Sequence, residues 1–487
     1  MAISEFFQLF LYINAILIVI TIVFLRPRRI QSIYLWIAAF LLLPILFVSI
    51  FYVFFGRDYR RAKLFKSKGA NDKRGMDYLR EMREKLFVCS DEQELLCRYT
   101  SIAKLLLDSN QALVTTNNQA SYFNDGNQLF ESIFSEIRAA KRYIHMEYYL
   151  FRDDELARRL VRELASKAKQ GVEVKLLYDA YGGHTLSRDF FKEITDSGGE
   201  TAVFFPSLLR RFNTRINNRN HRKILTIDGD IGFCGGFNIG MEYLGKGPMG
   251  DWRDAAVLVK GAGCIGMESR FIQDWNFAAE DDLSLENYCL KMSEDYLSGK
   301  EGPGQSAVQI VSGGPDTEFN PIEQQYMKMI SEAKKSIRIQ TPYFVPDEPV
   351  LSSLRVASLS GVDVQIMIPF KPDHPFVYWA SLYYVGSLLK SGVRVFQFRP
   401  GFVHAKTLVI DGEVASVGSA NFDVRSFELN FETNAVVYDA ALASEIVRAF
   451  QDDVLSHCVE LTPAQYAKRS YRVKFMESIS RLYTPIA

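Results

Sequence analysis

The chain has 487 residues, with 57 basic side chains against 57 acidic ones and a sequence pI near 7.0. That length fits two or three domains, and the absent net charge argues against the broad basic surface of a nucleic-acid-binding protein, so no nucleic-acid partner is expected. Six scattered cysteines without a C-x-x-C pair exclude a disulfide framework and a structural zinc site; reduced thiols in a cytosol-facing domain are expected.

Two uncharged runs open the chain, Phe6–Leu25 and Ile33–Phe55, of 20 and 23 residues. A helix rising about 1.5 Å per residue crosses a hydrocarbon layer of about 30 Å at that length. The first run is too long for a signal peptide and lacks a basic flank before it, so a transmembrane hairpin over residues 1–56 is expected. Arg26, Arg28 and Arg29 lie between the runs. Arg57, Arg60, Arg61, Lys63, Lys66 and Lys68 follow the second, against the single acid Asp58. Six positives against three place the catalytic part on the cytoplasmic side. A basic juxtamembrane and helical linker then extends to residue 115.

The soluble part is a repeat, with halves expected at 116–290 and 291–487. Ala140–Tyr149 and Gly171–Asp179 in the first half correspond to Ala333–Tyr343 and Gly361–Pro369 in the second. Each half reads as helix and strand in alternation, with Glu155–Lys169 and Glu348–Ser360 as matching crossovers. This pattern predicts an α/β layered domain with a largely parallel sheet in each half.

One motif, H-x-K-x4-D, ends this series in both halves: His221, Lys223 and Asp228, then His404, Lys406 and Asp411. Each copy carries a glycine-rich turn and an asparagine 17 residues beyond its histidine, Gly235-Gly236-Phe237-Asn238 and Gly418-Ser419-Ala420-Asn421. A single copy is weak evidence; two with the same downstream element are not. Each motif reads as a β-hairpin with an Asp-Gly turn. His and Lys, two apart on a strand, share one face. The aspartates, at the turn, read as turn formers or ion-pair anchors despite their place in the motif.

These residues resemble the signature of the phospholipase D superfamily. The membrane hairpin, with Trp252-Arg253-Asp254, Thr341–Asp347 and Arg425–Glu432, narrows the likeness to bacterial cardiolipin synthases. The resemblance implies two phospholipase D-like α/β domains, face to face about a pseudo-twofold, with both motifs in one cleft. It implies that the catalytic set is His221, Lys223, Asp228, His404, Lys406 and Asp411, with His221 as nucleophile and His404 as general acid. The residue chemistry agrees: neutral imidazole attacks phosphorus, protonated imidazole donates to the leaving alkoxide, and the lysines clamp the non-bridging oxygens. Asn238, Ser419 and Asn421 would add hydrogen bonds to substrate. Glu432, opening the strand Thr433–Tyr438, is expected to orient His404. Asp254, opening Ala255–Val259, is expected to orient His221.

No H-E-x-x-H motif or carboxylate cluster is present, so no metal or cofactor is expected. His145, His184, His374 and His457 read as packing or surface residues. Arg210, Arg211, Arg215, Arg219 and Arg222 read equally as a solvated face or as a collector of anionic headgroups. The aromatic stretch Phe376–Tyr384 reads as helix packing with lipid contact as the rival, and Lys468–Arg481 as an amphipathic surface segment. The implied activity joins two phosphatidylglycerols into cardiolipin plus glycerol in the bacterial cell membrane. The partners are phosphatidylglycerol and other anionic lipids, and a homo-oligomer is compatible. The alternatives keep the chemistry but change the acceptor to water or another alcohol, cut DNA, or leave only a lipid-binding scaffold.

Overall fold

The computed structural model describes residues 94–206, 218–289, 301–317 and 319–483, with helical positions 8–9, 12–13 and 15–16. The expected membrane spans and the basic stretch behind them otherwise lie outside the described residues. Among the described residues, no helix is long and apolar enough to cross a membrane.

Helix α1 (Thr100–Asn110) precedes strand β1 (Thr115–Phe123). Helix α2 (Gly126–Ala139) starts where the Asp125 carboxylate accepts from the Gln128 N–H, and it buries Leu129, Phe130, Ile133, Phe134 and Ile137 at helical spacing. Strand β2 (Tyr143–Tyr148) leads to α3 (Glu155–Lys169), capped by Asp154, with Lys167 and Lys169 at its electronegative end. Strands β3 (Glu173–Asp179), β4 (Glu200–Phe204), β5 (Lys223–Ile227), β6 (Ile231–Gly235) and β7 (Ala256–Lys260) complete the half, followed by α4 (Cys264–Ala279).

The second half repeats this series: β8 (Ser306–Gly313), α5 (Pro321–Glu332), β9 (Ser336–Gln340), α6 (Glu348–Leu359), β10 (Asp363–Pro369), α7 (Pro375–Leu388) and β11 (Arg394–Phe398). Then come β12 (Thr407–Ile410), β13 (Val414–Gly418), β14 (Glu432–Tyr438), α8 (Ala440–His457), β15 (Cys458–Glu460) and α9 (Tyr471–Tyr483).

Outward from the seam, the strand order is β1-β7-β6-β5-β2-β3-β4 in one direction and β8-β14-β13-β12-β9-β10-β11-β15 in the other. The same order therefore occurs twice. Two expectations are corrected here. The halves do not hold separate sheets, because antiparallel pairing of β1 with β8 joins them into one 15-stranded sheet. Nor is that sheet largely parallel: of its neighbouring strands only β2–β3, β3–β4, β9–β10 and β10–β11 pair in parallel. The crossover helices generate those pairs, whereas each motif strand returns through a tight turn and so pairs antiparallel.

Side chains alternate between two cores. Leu225, Ile227, Phe233 and Leu258 pack with α2 and α3, while Ile224, Cys234, Val257 and Val259 face Val409, Ala415, Val417, Ala435 and Val437 of the second half. The sheet thus doubles over at its seam, and β6 and β7 pack against β13 and β14. Helix α1 packs into the second half's core through Ile102, Ala103 and Leu106. Cys97 is disulfide-bonded, which corrects the expectation of reduced thiols at that residue, whereas Cys234, Cys264 and Cys458 are outside any disulfide.

Candidate active site

Each histidine of the two motifs is held on backbone of the opposite half. The His221 N–H donates to the Phe431 carbonyl at 2.9 Å, and the Phe431 N–H returns a bond to Arg219 at 2.8 Å. In the pseudo-equivalent place, Gly401–Val403 pairs in parallel with Asp251–Arg253, and the His404 N–H donates to the Arg253 carbonyl at 2.7 Å. Phe431 precedes Glu432 and Arg253 precedes Asp254, so each imidazole is brought beside the acid of the other half.

That reverses the expected partners. His221 Nδ1 lies 2.9 and 3.0 Å from the Glu432 carboxylate oxygens, and His404 Nδ1 lies 2.6 Å from Asp254 Oδ2. The repeat located both carboxylates, but sequence proximity paired them within halves, whereas doubling of the sheet exchanges them. With each carboxylate accepting from Nδ1–H, the tautomer leaves Nε2 unprotonated for chemistry. The His221 and His404 side chains retain 13% and 10% of their exposure, so the rings stay partly accessible although the carboxylates behind them are fully buried.

The two carboxylates are secured differently. Glu432 also accepts from Ser419 Oγ at 2.6 Å and Asn430 Nδ2 at 3.1 Å. Gly236 occupies the position matching Ser419, and a Cβ there would collide with the Asp254 carboxylate. Asp254 instead accepts the Ala255 N–H at 2.7 Å. Ser419, expected to touch substrate, is thus engaged by Glu432.

Lys223 Nζ donates to the His221 carbonyl at 2.7 Å, and Lys406 Nζ donates to the His404 carbonyl while sitting 2.8 Å from His404 Nδ1. Burial lowers Lys223 to about 7 and Lys406 to about 8, with the Lys406 charge further depressing Lys223. Burial lowers His221 to about 4, partly opposed by Glu432, and lowers His404 well below its usual value, with Lys406 and Lys223 adding to that effect. Burial raises Asp254 to about 7 against the pull of Lys406. Glu432 is also pushed up by burial, but His221, Lys223 and Ser419 outweigh this and hold it below the usual range. Burial sets most of these shifts and mutual repulsion of the cations adds to it, so a bound anion would oppose the depression of both lysines and both imidazoles.

Asp228 and Asp411 do not join the cleft, a correction to their place in the catalytic set. Each sits at its turn with φ of 55°. Asp228 accepts backbone N–H bonds from Lys141, Arg142 and Tyr143 at 2.7–3.0 Å, and Asp411 does the same for Lys334, Lys335 and Ser336 at 2.7–2.8 Å. They fasten the motif hairpin to the start of β2 or β9. The turns hold three residues, Asp228–Asp230 and Asp411–Glu413, rather than two.

Asn238 Nδ2 donates to the Tyr243 hydroxyl at 2.6 Å, and the Asn421 N–H donates to Ser426 Oγ at 3.1 Å. In both asparagines Oδ1 is buried without a hydrogen-bond partner. Arg222 does not gather headgroups: it is fully buried, ion-paired with Asp274, and bonded to the Glu432 carbonyl at 3.3 Å. Arg219 stacks over Tyr181 at 3.9 Å, and Arg210, Arg211 and Arg215 lie outside the described residues. His145 is buried between Glu268 at 2.7 Å and Glu173 at 3.0 Å, a local hydrogen-bonding role as expected.

Sequence reasoning missed the aromatic walls. Tyr149 lies edge-on to His221 with ring centroids 4.9 Å apart, while Tyr243 and Trp252 stand 5.7 and 5.4 Å from His404. Trp252 lies two residues before Asp254, but nothing in its spacing tied it to the second motif. Asn430, two residues before Glu432, had the same period-2 signal as the His/Lys pairs.

A family model described as cardiolipin synthase, PLD-like domain, matches residues 133–265 and 326–454. A cardiolipin synthase of Staphylococcus aureus (strain Mu50 / ATCC 700699) is 45% identical over 481 residues, covering 98% of this chain and 95% of that relative. A cardiolipin synthase of Listeria innocua serovar 6a is 42% identical over 487 residues, covering 98% and 99%. Among solved structures, a phosphatidylserine synthase of Haemophilus influenzae Rd KW20 superposes with a TM-score of 0.60 at 17% identity, covering 79% of this chain and 97% of that one. That last likeness concerns the fold.

Proposed function

The chain belongs to the cardiolipin synthase family of PLD-like proteins, and from that premise we propose that it transfers a phosphatidyl group between two phosphatidylglycerols. In the first half-reaction His221 Nε2 attacks the phosphorus of one lipid. The bond to its headgroup glycerol breaks, and protonated His404 gives its proton to the departing oxygen. Glycerol leaves, with the phosphatidyl group on His221. In the second half-reaction His404 takes the proton from a headgroup hydroxyl of the other lipid. That oxygen attacks phosphorus, the P–N bond breaks, and cardiolipin is released. One phosphodiester replaces another, so no nucleotide is consumed.

The observation that carries this reading is the exchanged pair of His–carboxylate contacts. Two imidazoles, each fixed at Nδ1 by the opposite half, keep Nε2 for chemistry, and they are near enough that the charges of His221 and Lys223 act on His404. Lys223 and Lys406 are assigned to the non-bridging oxygens, and Asn238 and Asn421 to the substrate's polar groups. A bound phosphate anion raises the proton affinity of His404 and so readies the general acid. The assignment of His221 rather than His404 as nucleophile is supported by Glu432, held in the charged form that stabilises a cationic phosphohistidine. Halves at 116–290 and 291–487 and a linker over 57–115 complete the domain reading.

The two apolar runs at 6–25 and 33–55 are proposed to span the membrane; Leu9, Tyr12, Ile13 and Ile16 are exposed apolar positions in the first. The charge asymmetry around the spans favours a cytoplasmic catalytic part, whereas the disulfide at Cys97 favours the opposite side. Labelling of single introduced cysteines in intact cells decides between them.

The test of activity uses phosphatidylglycerol vesicles and the full chain. Cardiolipin and glycerol should form in equal amounts, while phosphatidic acid without cardiolipin rejects the transferase in favour of a hydrolase. After a short pulse of labelled lipid, label at position 221 supports the assigned nucleophile, and label only at 404 reverses the roles.

A further inference from the structure

Helix α9 packs against α7 with one face only. Glu477 and Ser480 are buried there, and Arg469 pairs with Glu477 at 3.1 Å. On the opposite face Tyr471, Phe475 and Ile479, spaced by four, are 90%, 62% and 40% exposed. At 100° per residue they form one apolar stripe, with Arg472 on one flank and Lys474 on the other. Both cations are exposed, as is Lys468 just before the helix. The one acid between 463 and 483 is the buried Glu477. A lone exposed apolar residue means little, but a stripe bordered by cations along a helix has the form of an interfacial segment.

The stripe does not stand alone. At the start of α7, Phe376 is 55% exposed, and Phe370 is exposed just before it. Asp373, between them, accepts from the Tyr343 hydroxyl, and its charge reaches Lys406. Phe370 and Phe376 thus flank a residue whose charge reaches the site.

We propose that α9, with Phe370 and Phe376, is the surface on which the catalytic part lies against an anionic bilayer, with the cleft opening toward the lipid headgroups. The occupant is a lipid surface rather than a second copy, because every exposed charge bordering the stripe is positive and would repel the same face of another chain. The aromatic and aliphatic side chains enter the acyl boundary while Arg472 and Lys474 remain at the phosphates. A phosphodiester buried in a headgroup layer then needs only to rise into the cleft. This inference rests on the reading of the protein as a lipid phosphatidyltransferase.

The test compares the full chain with its Phe475→Trp variant, in vesicles of brominated phosphatidylcholine with and without phosphatidylglycerol. The variant should show tryptophan quenching beyond that of the unmodified chain, strongest with phosphatidylglycerol and reduced by Arg472→Glu with Lys474→Glu. A Phe475→Ser, Ile479→Ser variant should raise the apparent KM on vesicles about tenfold, while activity on a dispersed short-chain phosphatidylglycerol stays unchanged. No added quenching in either vesicle overturns the proposal. So does emission that shifts with protein concentration in lipid-free detergent, which would mark the face as a contact between copies. Equal loss on vesicles and dispersed substrate also overturns it, by showing a structural role. Cardiolipin formation by the unmodified chain is scored separately, so failure of the catalytic reading has its own signature.

Discussion

At the scale of single residues, the carboxylate behind each imidazole decides whether the ring is usable. A buried acid beside a ring nitrogen fixes the tautomer and stabilises the cation formed in the reaction, and removing its charge leaves the shape but not the field. Glu432→Gln and Asp254→Asn should each lower kcat about 10²–10³-fold with little change in KM. Because the pairs are crossed, a phosphodiester with a better leaving group, which needs no general acid, should rescue His221 labelling in Asp254→Asn but not in Glu432→Gln; the opposite rescue would restore the within-half pairing. The motif aspartates belong to a different class. Asp228→Ala removes the carboxylate that accepts from three backbone N–H groups, and with it the side chain that eases a positive φ. It should cost about 2–4 kcal/mol of stability by denaturant titration, with turnover per folded molecule largely retained. The sequence read these aspartates correctly as turn residues. It did not reveal the backbone they hold, since Lys141–Tyr143 lies some 85–87 positions away.

Among the elements, helices and strands of both halves were legible because capping residues and apolar periodicity are local properties. Glu155–Lys169 is a helix as expected, and Glu348–Leu359 ends one residue before the expected Ser360. Strand direction was not legible in the same way: an apolar strand flanked by helices suggests parallel pairing, yet the motif hairpins turn back and pair antiparallel. The short ribbon of Gly401–Val403 on Asp251–Arg253 left no such local signal, and it holds His404 over Asp254. Gly401 has no room for a side chain, because a Cβ would collide with the Asp251 backbone. Gly401→Ala should therefore cost about 2 kcal/mol or more by thermal or denaturant unfolding. Its kcat should fall more than that of Gly171→Ala, where φ is positive but the surroundings are open.

For the molecule as a whole, the concentration of buried cations sets the pH response. In the free enzyme kcat/KM should rise with pH through about 4 as His221 loses its proton, then fall as His404, whose proton affinity is depressed by burial, loses its own, and fall again between about 7 and 8 as Lys223 and Lys406 lose theirs. Bound phosphodiester favours the charged lysines, so the alkaline limb of kcat should lie at higher pH than that of kcat/KM. Stability follows the same logic with its own sign. Burial lowers Lys223 from its ordinary 10.5 to about 7 in the folded chain, so the unfolded chain binds the extra proton between those values and stability rises with pH there. Thermal unfolding of the chain from pH 7 to 9 should show a steeper climb in Tm than that of Lys223→Met. Neither motif histidine finds its carboxylate within its own half, so residues 116–290 expressed alone should form no phosphohistidine.

The sequence by itself determined the chemistry and the repeat: two imidazoles, two ammonium groups and two strand-opening acids, each recognisable from spacing along a few residues. Tertiary structure alone decided which acid serves which histidine, that the halves share one doubled sheet, and that aromatic rings wall the cleft. The physical reason is the same in each case. Spacing reports which face of its own strand a side chain occupies, but a contact across the fold depends on where the other half of the sheet comes to rest.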